Sequence, residues 1–115
     1  MVMQQQCFDQ AEHQAELAKS ESTTGFALKG EISFKTVNGL WQQSLVLFAD
    51  MSGEAGDDLQ VDLAQVTLLD SAGLGLLVAW KKWAQARQLV VCYRAAPTSV
   101  KTLAVVNRVS LILAL

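Results

Sequence analysis

The stretch Leu68-Leu69-Asp70-Ser71-Ala72-Gly73-Leu74-Gly75-Leu76-Leu77-Val78 decides how this 115-residue chain folds. Before it, from Leu59 onward, apolar residues alternate with polar ones, which predicts a half-buried strand. After Asp70 the apolar residues recur at three- and four-residue spacing to about Arg87, which predicts a helix. A strand that passes into a helix at a polar corner is the basic unit of α/β folds.

The corner between the predicted strand and helix contains an acid, a hydroxyl and two glycines. Ser71 is placed to cap the helix, because a serine oxygen accepts a hydrogen bond from a free N–H of the first turn. Gly73 and Gly75 each cost about 1 kcal/mol relative to alanine inside a helix. We therefore expect a compensating contact at the glycines, most simply the close approach of another backbone.

The predicted helix has two faces. One is a continuous apolar stripe that we expect to face the sheet, formed by Gly73, Leu76, Leu77, Trp80, Trp83 and Ala84. The other carries Ser71, Leu74, Gly75 and Val78, and continues with Lys81, Lys82 and Gln85. An apolar patch beside an exposed hydroxyl is typical of a docking surface. The alternative is that a neighbouring loop covers Leu74 and Val78, and the pattern alone leaves both interpretations open.

The rest of the chain adds further strands and helices around this unit. Strands are predicted over residues 26–32 and 89–93, and the apolar residues 109–115 are compatible with a short closing strand. One helix is predicted from an N-cap at Ser33 to Phe48, with Phe34 at its start among the residues of the apolar side, and another is predicted after Pro97. Trp41 lies on the apolar side of the first of these helices, so we assign it to the core rather than to a ligand site.

Together these elements predict a single α/β domain. Its sheet is expected to be mostly parallel or mixed, with four to five strands and about three helices packed on it. We place the domain at residues 23–115. Residues 1–22 form a polar extension that contains five glutamines, and nothing in this extension fixes a structure.

The composition excludes several classes of protein. Hydrophobic residues make up 51% of the chain and charged residues 17%, which is typical of a globular fold. The net charge of −2 argues against nucleic-acid binding and against strong attraction to anionic lipid. No apolar stretch approaches the roughly 20 residues of a membrane span, so we expect no direct membrane insertion. Because the N-terminus lacks a signal-peptide pattern, the expected location is the cytoplasm.

The sequence offers no set of residues for catalysis. Its one histidine, His13, lies in the polar extension, so no Ser-His-Asp set is assembled within the domain. Cys7 and Cys92 form neither a metal-binding nor a disulfide pattern. Gly73 and Gly75 are not accompanied by the other residues of a phosphate-binding loop or a dinucleotide fingerprint. We therefore predict a non-enzymatic protein without a metal or other cofactor.

Several of these segments also resemble a known family when they are read together. The chain looks like the STAS domains of bacterial anti-sigma-factor antagonists over roughly residues 24–112. The resemblance rests on Val61-Asp62-Leu63, Val66, Asp70-Ser71-Ala72-Gly73-Leu74-Gly75, Val90-Val91-Cys92, Pro97, Val100-Lys101 and Leu103. In that family the hydroxyl residue directly after the aspartate is phosphorylated by a kinase-like anti-sigma factor, and the matching position here is Ser71.

A narrower resemblance points to a transport complex. Leu28-Lys29-Gly30-Glu31-Ile32, followed by Leu40-Trp41, is similar to the STAS subunit of the Mla phospholipid transporter. That subunit binds the cytoplasmic ATPase of an ABC complex that moves lipid between the two membranes of Gram-negative cells. Its matching hydroxyl is a threonine, whereas this chain has Ser71, which also suits the sigma-regulator pattern. The first alternative is thus an ATPase-bound subunit, and the second is an anti-sigma-factor antagonist switched at Ser71.

The resemblance implies a regulatory surface rather than an active centre. Ser71 is expected to be the phosphoacceptor or the key contact. The residues expected to bind the partner protein are Asp70, Ser71, Ala72, Gly73, Leu74, Gly75 and Val78. The expected location becomes the cytoplasm, peripheral to the inner membrane where the protein joins a transporter complex. Homodimer formation is also compatible with the sequence.

Overall fold

The structure, a computed structural model, describes residues 15–19, 25–49 and 58–115. Its strands form one mixed sheet in the order β1-β2-β3-β4. β1 runs antiparallel to β2, whereas the β2–β3 and β3–β4 pairs are parallel. The strand bounds are Ala15–Lys19 for β1, Gly25–Ile32 for β2, Asp58–Leu69 for β3 and Val90–Arg94 for β4. This arrangement confirms the predicted α/β domain with a mixed four-stranded sheet.

Four helices accompany the sheet in the described residues, one more than the sequence predicted. They are α1 (Val37–Ala49), α2 (Ser71–Ala86), α3 (Thr98–Val106) and α4 (Ser110–Leu113). The closing strand predicted within residues 109–115 was wrong, because this segment contains α4. Leu113 is buried while Leu111 and Ile112 are exposed. One turn of helix is therefore enough to place the buried leucine of α4 in the core.

β1 lies inside the segment that the sequence analysis assigned to a polar extension. The expectation that nothing there fixes a structure was wrong for Ala15–Lys19, which pairs with β2 from Ala15 opposite Gly30 to Lys19 opposite Phe26. Leu17 enters the core, and its N–H donates a hydrogen bond to Gln43 Oε1 at 3.2 Å. A single apolar residue carries too little periodicity to reveal such an edge strand. The rest of the extension, residues 1–14 and 20–22, lies outside the described residues.

α1 begins at Val37 rather than directly after the predicted N-cap at Ser33. The backbone carbonyl of Ser33 accepts hydrogen bonds from the N–H groups of Thr36 and Val37, so a turn precedes the helix. Phe34, which the periodicity placed on the apolar side of the helix, lies in this turn and is 71% exposed. The prediction for Phe34 was therefore wrong, because the helical spacing does not apply before Val37.

Aromatic rings connect the sheet to both long helices. Phe26 of β2 contacts Phe48 of α1 edge to face at 5.0 Å between ring centroids, and Phe48 contacts Trp80 of α2 in the same way at 5.8 Å. All three residues are buried, beside the inward-facing side chains of β3. Edge-to-face aromatic pairs contribute beyond their buried area, so these contacts fix how α1 and α2 lie on the sheet.

A buried hydrogen bond sets the register of α1 against α2. The indole Nε1 of Trp80 donates to Ser44 Oγ at 2.9 Å, and that hydroxyl donates to the carbonyl oxygen of Trp41 at 2.6 Å. Ser44 is fully buried in the helix interface. The hydroxyl thus satisfies an indole N–H that solvent does not reach.

We predict that Ser44→Ala lowers the free energy of unfolding by about 1–3 kcal/mol, because it leaves the Trp80 N–H without its acceptor. Urea denaturation checks this change. The matched control is Ser99→Ala at an exposed position of α3, for which we expect the free energy of unfolding to change by no more than about 0.5 kcal/mol. Equal effects of the two substitutions would contradict the role given to Ser44.

The only tyrosine of the chain predicts a pH dependence of stability. Tyr93 on β4 is buried and donates from its hydroxyl to the carbonyl oxygen of Leu77 at 2.7 Å. Burial raises the pKa of this phenol well above its ordinary value of 10.0. Since the unfolded chain releases the proton first, the stability due to the neutral phenol is fully present below pH 10.0 and is lost progressively as pH rises above it.

We therefore expect Tyr93→Phe to be less stable than the wild type near neutral pH, by about 1 kcal/mol, because the hydrogen bond is lost. We also expect its free energy of unfolding to fall less steeply above pH 10.0. Urea denaturation of both proteins from neutral to alkaline pH measures the two effects. Parallel pH profiles for the two proteins would refute the link to the phenol.

Candidate functional site

The corner between β3 and α2 is built around the carboxylate of Asp70. Asp70 is the N-cap of α2, and its Oδ1 accepts a hydrogen bond from the N–H of Gly73 at 2.9 Å. Its Oδ2 accepts from the N–H of Phe34 at 3.1 Å, so the same side chain holds the turn that leads into α1. The prediction that Ser71 caps the helix was wrong, because Asp70 occupies that position. Ser71 is the first residue of α2 and is exposed.

The first turn of α2 lies against the end of β2. A methyl group on Gly73 would overlap the carbonyl oxygen of Ile32 and would lie 3.0 Å from Leu69 Cγ. The predicted close approach of another backbone is therefore confirmed at Gly73. It was wrong at Gly75, where a methyl group would meet nothing within 4 Å. Local packing explains the first glycine and leaves the second unexplained.

We predict opposite effects on stability for alanine at the two glycines. Gly73→Ala is expected to destabilise the fold by about 1–3 kcal/mol, because the backbone of β2 has to move. Gly75→Ala is expected to stabilise it by about 0.5–1 kcal/mol, because the helix gains propensity without a clash. Urea denaturation of the two variants is the measurement, and each variant serves as the control for the other. Changes of the same sign would contradict this assignment.

The two predicted faces of α2 are found, with one correction. Leu76, Leu77, Trp80 and Ala84 of the core stripe are buried, together with Gly73, and Trp83 is half-buried. On the other face Ser71 and Gly75 are exposed, and Ala72 and Val78 are half-buried.

Leu74 was expected on the exposed patch, but it is only 4% exposed. The expectation of an exposed Leu74 was therefore wrong, because this side chain belongs to the buried hydrophobic core. Besides the sheet, α2 also packs against α1, α3 and α4, so an apolar residue outside the predicted core stripe can still be buried.

An open groove lies between α1 and α2, and its lining includes Ala72, the residue after Ser71. Its volume is about 290 Å³. The α1 side consists of Val37, Asn38 and Trp41, and the α2 side of Ala72, Gly75, Leu76 and Ala79. Because Gly75 has no side chain, the α2 wall stays low in the middle of the groove. The lining is apolar except for the amide of Asn38, and it contains no charged side chain.

Trp41 is the site residue that the periodicity misassigned. The spacing placed it in the core, but it is half-buried and lines the groove. Its side chain therefore packs on the domain and remains available to a partner. The sequence gives only a weak signal that Trp41 belongs to a binding site, namely its place near the exposed positions Asn38 and Gly39. An aromatic residue at the edge of an apolar stripe can serve either in the core or in a binding site.

Within the described residues, no three or more His, Cys, Asp or Glu side chains come together as a metal site. Asp62 is exposed, and its Oδ1 accepts from the N–H of Ala64 at 2.8 Å. No helix among the described elements has the length and apolar character of a membrane span. Ser71 is thus exposed and precedes Ala72, a lining residue of an open apolar groove, and this combination suits contact with another protein.

The comparisons with known proteins agree with a protein-binding module. Residues 15–113 match the family described as "Mlab, STAS domain", and the chain therefore belongs to the STAS family, whose members are generally non-catalytic binding modules. Among 14 matching chains of solved structures is an anti-sigma factor antagonist from Mycobacterium paratuberculosis. It is 22% identical, with a TM-score of 0.61 over 86% of this chain and 83% of that chain, and at this identity it supports the fold alone. A search of curated proteins found no match.

Proposed function

We propose that this protein is a non-enzymatic subunit that docks on the cytoplasmic ATPase of an Mla-type phospholipid-transport ABC complex. The docking surface is Ser71 together with the groove between α1 and α2. The observation that carries the proposal is Gly75, which is exposed, lies inside a helix and would have nothing within 4 Å of an added methyl group. A glycine inside a helix lowers its stability, and no contact within the fold requires a glycine at this position. We therefore attribute Gly75 to a partner that occupies the space next to it.

The groove fits part of another polypeptide better than it fits a small polar ligand. Its walls offer apolar surface from Trp41, Leu76 and Ala79, with Asn38 as the single polar side chain. Tryptophan is among the residues that contribute most at protein interfaces, because it buries a large rigid surface. Ser71 is exposed and directly precedes Ala72 of the groove lining, and its hydroxyl can both donate and accept hydrogen bonds, which suits a neutral contact with a partner.

The match to the Mlab-type STAS family supports the ATPase as the partner. A protein bound in this way acts at the cytoplasmic side of the inner membrane without inserting into it. In this role Asp70 and Gly73 hold the corner in shape, whereas Ser71, Ala72, Gly75 and Val78 contribute surface. Leu74 supports the helix from within, since it is buried.

Binding to the purified Mla-type ATPase of the same organism tests the proposal, with Gly75→Arg as the main variant. A Cβ added at this exposed position meets nothing within 4 Å, so we expect the fold to keep its melting temperature while the longer arginine side chain blocks the groove. We expect the dissociation constant to rise at least tenfold, or about 1.4 kcal/mol. Gln85→Arg, an exposed site with the same charge change further along α2, is the matched control and should bind like the wild type. Unchanged affinity of Gly75→Arg would overturn the proposal.

A second candidate function follows from the exposure of Ser71 at the first position of α2. It is an anti-sigma-factor antagonist whose binding is switched when a kinase-like anti-sigma factor phosphorylates Ser71. Phosphorylation adds roughly −1.5 to −2 charges. The helix dipole stabilises this charge by up to about 2 kcal/mol, and Asp70 opposes it by about 1–2 kcal/mol. The fold is thus retained, while an apolar partner surface rejects the phosphate.

Ser71→Asp and a Ser71-phosphorylated sample distinguish the two candidates. Capture of a kinase-like anti-sigma factor by the unmodified protein, with release after phosphorylation, would favour the second function. Binding of the ATPase by the wild type, together with no phosphate on Ser71 in protein isolated from cells, would favour the first. Thermal denaturation is recorded in parallel, so that loss of binding is separated from loss of folding.

A further inference from the structure

The charges of this chain are divided unevenly along its length. Residues 1–70 contain eleven Asp and Glu residues but only three Lys and Arg residues. Residues 71–115 contain six Lys and Arg residues and no Asp or Glu at all. The net charge of −2 is therefore an average over an acidic first part and a basic second part. Among the described elements, α3 and α4 pack mainly on α2 and on each other, and none of these three helices contains an acidic side chain.

Four aliphatic side chains are exposed at the end of this basic part. They are Val105, Val106, Leu111 and Ile112, each more than half exposed, and they belong to the end of α3 and to α4. Lys101 and Arg108, both exposed, lie in the same segment. We call these six residues the C-terminal patch. The N–H of Arg108 donates to the carbonyl oxygen of Val105 at 3.0 Å, so the chain turns back on itself within the patch.

The exposure of these side chains is a consequence of how α3 and α4 are anchored. Val100 and Ala104 of α3 and Leu113 of α4 are fully buried. The N–H of Val109 donates to the carbonyl oxygen of Ala104 at 2.9 Å, which fixes α4 next to α3. The two helices therefore present one side to the core and the C-terminal patch to the outside. Nothing in the described part of the chain covers the patch.

We propose that the C-terminal patch contacts an anionic phospholipid surface. Aliphatic side chains flanked by cations are the combination that lies in the headgroup region of acidic membranes. No acidic residue between Ser71 and Leu115 opposes this contact. Leu111 is 94% exposed, and a projecting aliphatic side chain enters a soft lipid interface without requiring a matching cavity. The patch and the groove share no residue, so this inference does not depend on the proposed function.

A second copy of the chain is a poorer occupant of the same surface. Two patches facing each other would bring the Lys101 and Arg108 side chains of both copies together, with no carboxylate side chain in residues 71–115 to pair with them. Like charges at a shared interface oppose association. Lipid phosphates, in contrast, neutralise these cations and accept the aliphatic side chains at the same time.

Vesicle flotation with the full chain tests the proposal. The probes are vesicles of phosphatidylglycerol mixed with phosphatidylcholine, and vesicles of phosphatidylcholine alone. We expect the protein to float with the anionic vesicles only, and the floating fraction to fall as salt is added, because salt screens exposed charges. Leu111→Ser combined with Ile112→Ser should weaken binding by at least about tenfold, because both side chains leave water when the patch docks.

The charge contribution is tested by reversing one cation in the patch and one outside it. Lys101→Glu should weaken binding by at least about fivefold, because each Lys or Arg near an anionic surface contributes on that scale. Lys82→Glu, at an exposed position of α2, has the same charge change and should alter binding by less than about twofold. Circular dichroism of all variants shows whether the fold is kept, which we expect since each altered side chain is exposed.

Several results would overturn the proposal. They are absence of flotation, equal flotation with uncharged vesicles, and equal effects of Lys101→Glu and Lys82→Glu. Self-association that disappears in the Leu111→Ser, Ile112→Ser variant would assign the patch to a second copy. If vesicles fail to bind while the same variant loses affinity for the Mla-type ATPase, the patch is a protein contact. The variant Gly75→Arg should float like the wild type, which separates this test from that of the groove.

Discussion

The first turn of α2 is pressed against the end of β2, and a glycine at position 73 is the only residue that allows this contact. The carbonyl oxygen of Ile32 occupies the space where any other side chain would begin. The N–H of Asp70 also donates to this carbonyl oxygen, at 3.1 Å, so the start of α2 is tied to the neighbouring strand. The Asp70 carboxylate also accepts a hydrogen bond from the N–H of Phe34, which lies in the turn before α1. The start of α1 is therefore tied to the same corner. This corner therefore helps to place both walls of the groove, together with the contacts of Trp80 with Ser44 and Phe48.

The two glycines in the first turns of α2 have different surroundings. Gly73 is buried and required by packing, whereas Gly75 is exposed and has free space around it. A fold under selection for stability alone would favour alanine at an exposed helical position. We therefore group the exposed glycine with Ser71 and the half-buried ring of Trp41 in the proposed docking surface. The packed corner supplies the rigidity that lets such an open surface keep its shape.

The distribution of charge separates the two surfaces of the molecule in the same way. The groove is lined without charged side chains, which suits a partner that buries apolar surface. The C-terminal patch combines aliphatic side chains with Lys101 and Arg108, and it lies in a part of the chain without acidic residues. The average charge of the whole chain hides this division, so it is a poor guide to how one surface meets anionic lipid.

The sequence by itself determined the β3–α2 unit, the core stripe of α2 and the polar corner at Asp70 and Ser71. These features depend on local periodicity and on turn chemistry, and both are determined by residues that are close together in the sequence. Only the tertiary structure decided the burial of Leu74, the place of Trp41 in the groove, the strand β1 and the helix α4. Periodicity shows which face of a helix is apolar, but it does not show how much of the circumference other elements cover. An edge strand such as β1 is likewise stabilised by its partner strand rather than by its own residues, so its presence is settled only when the sheet assembles.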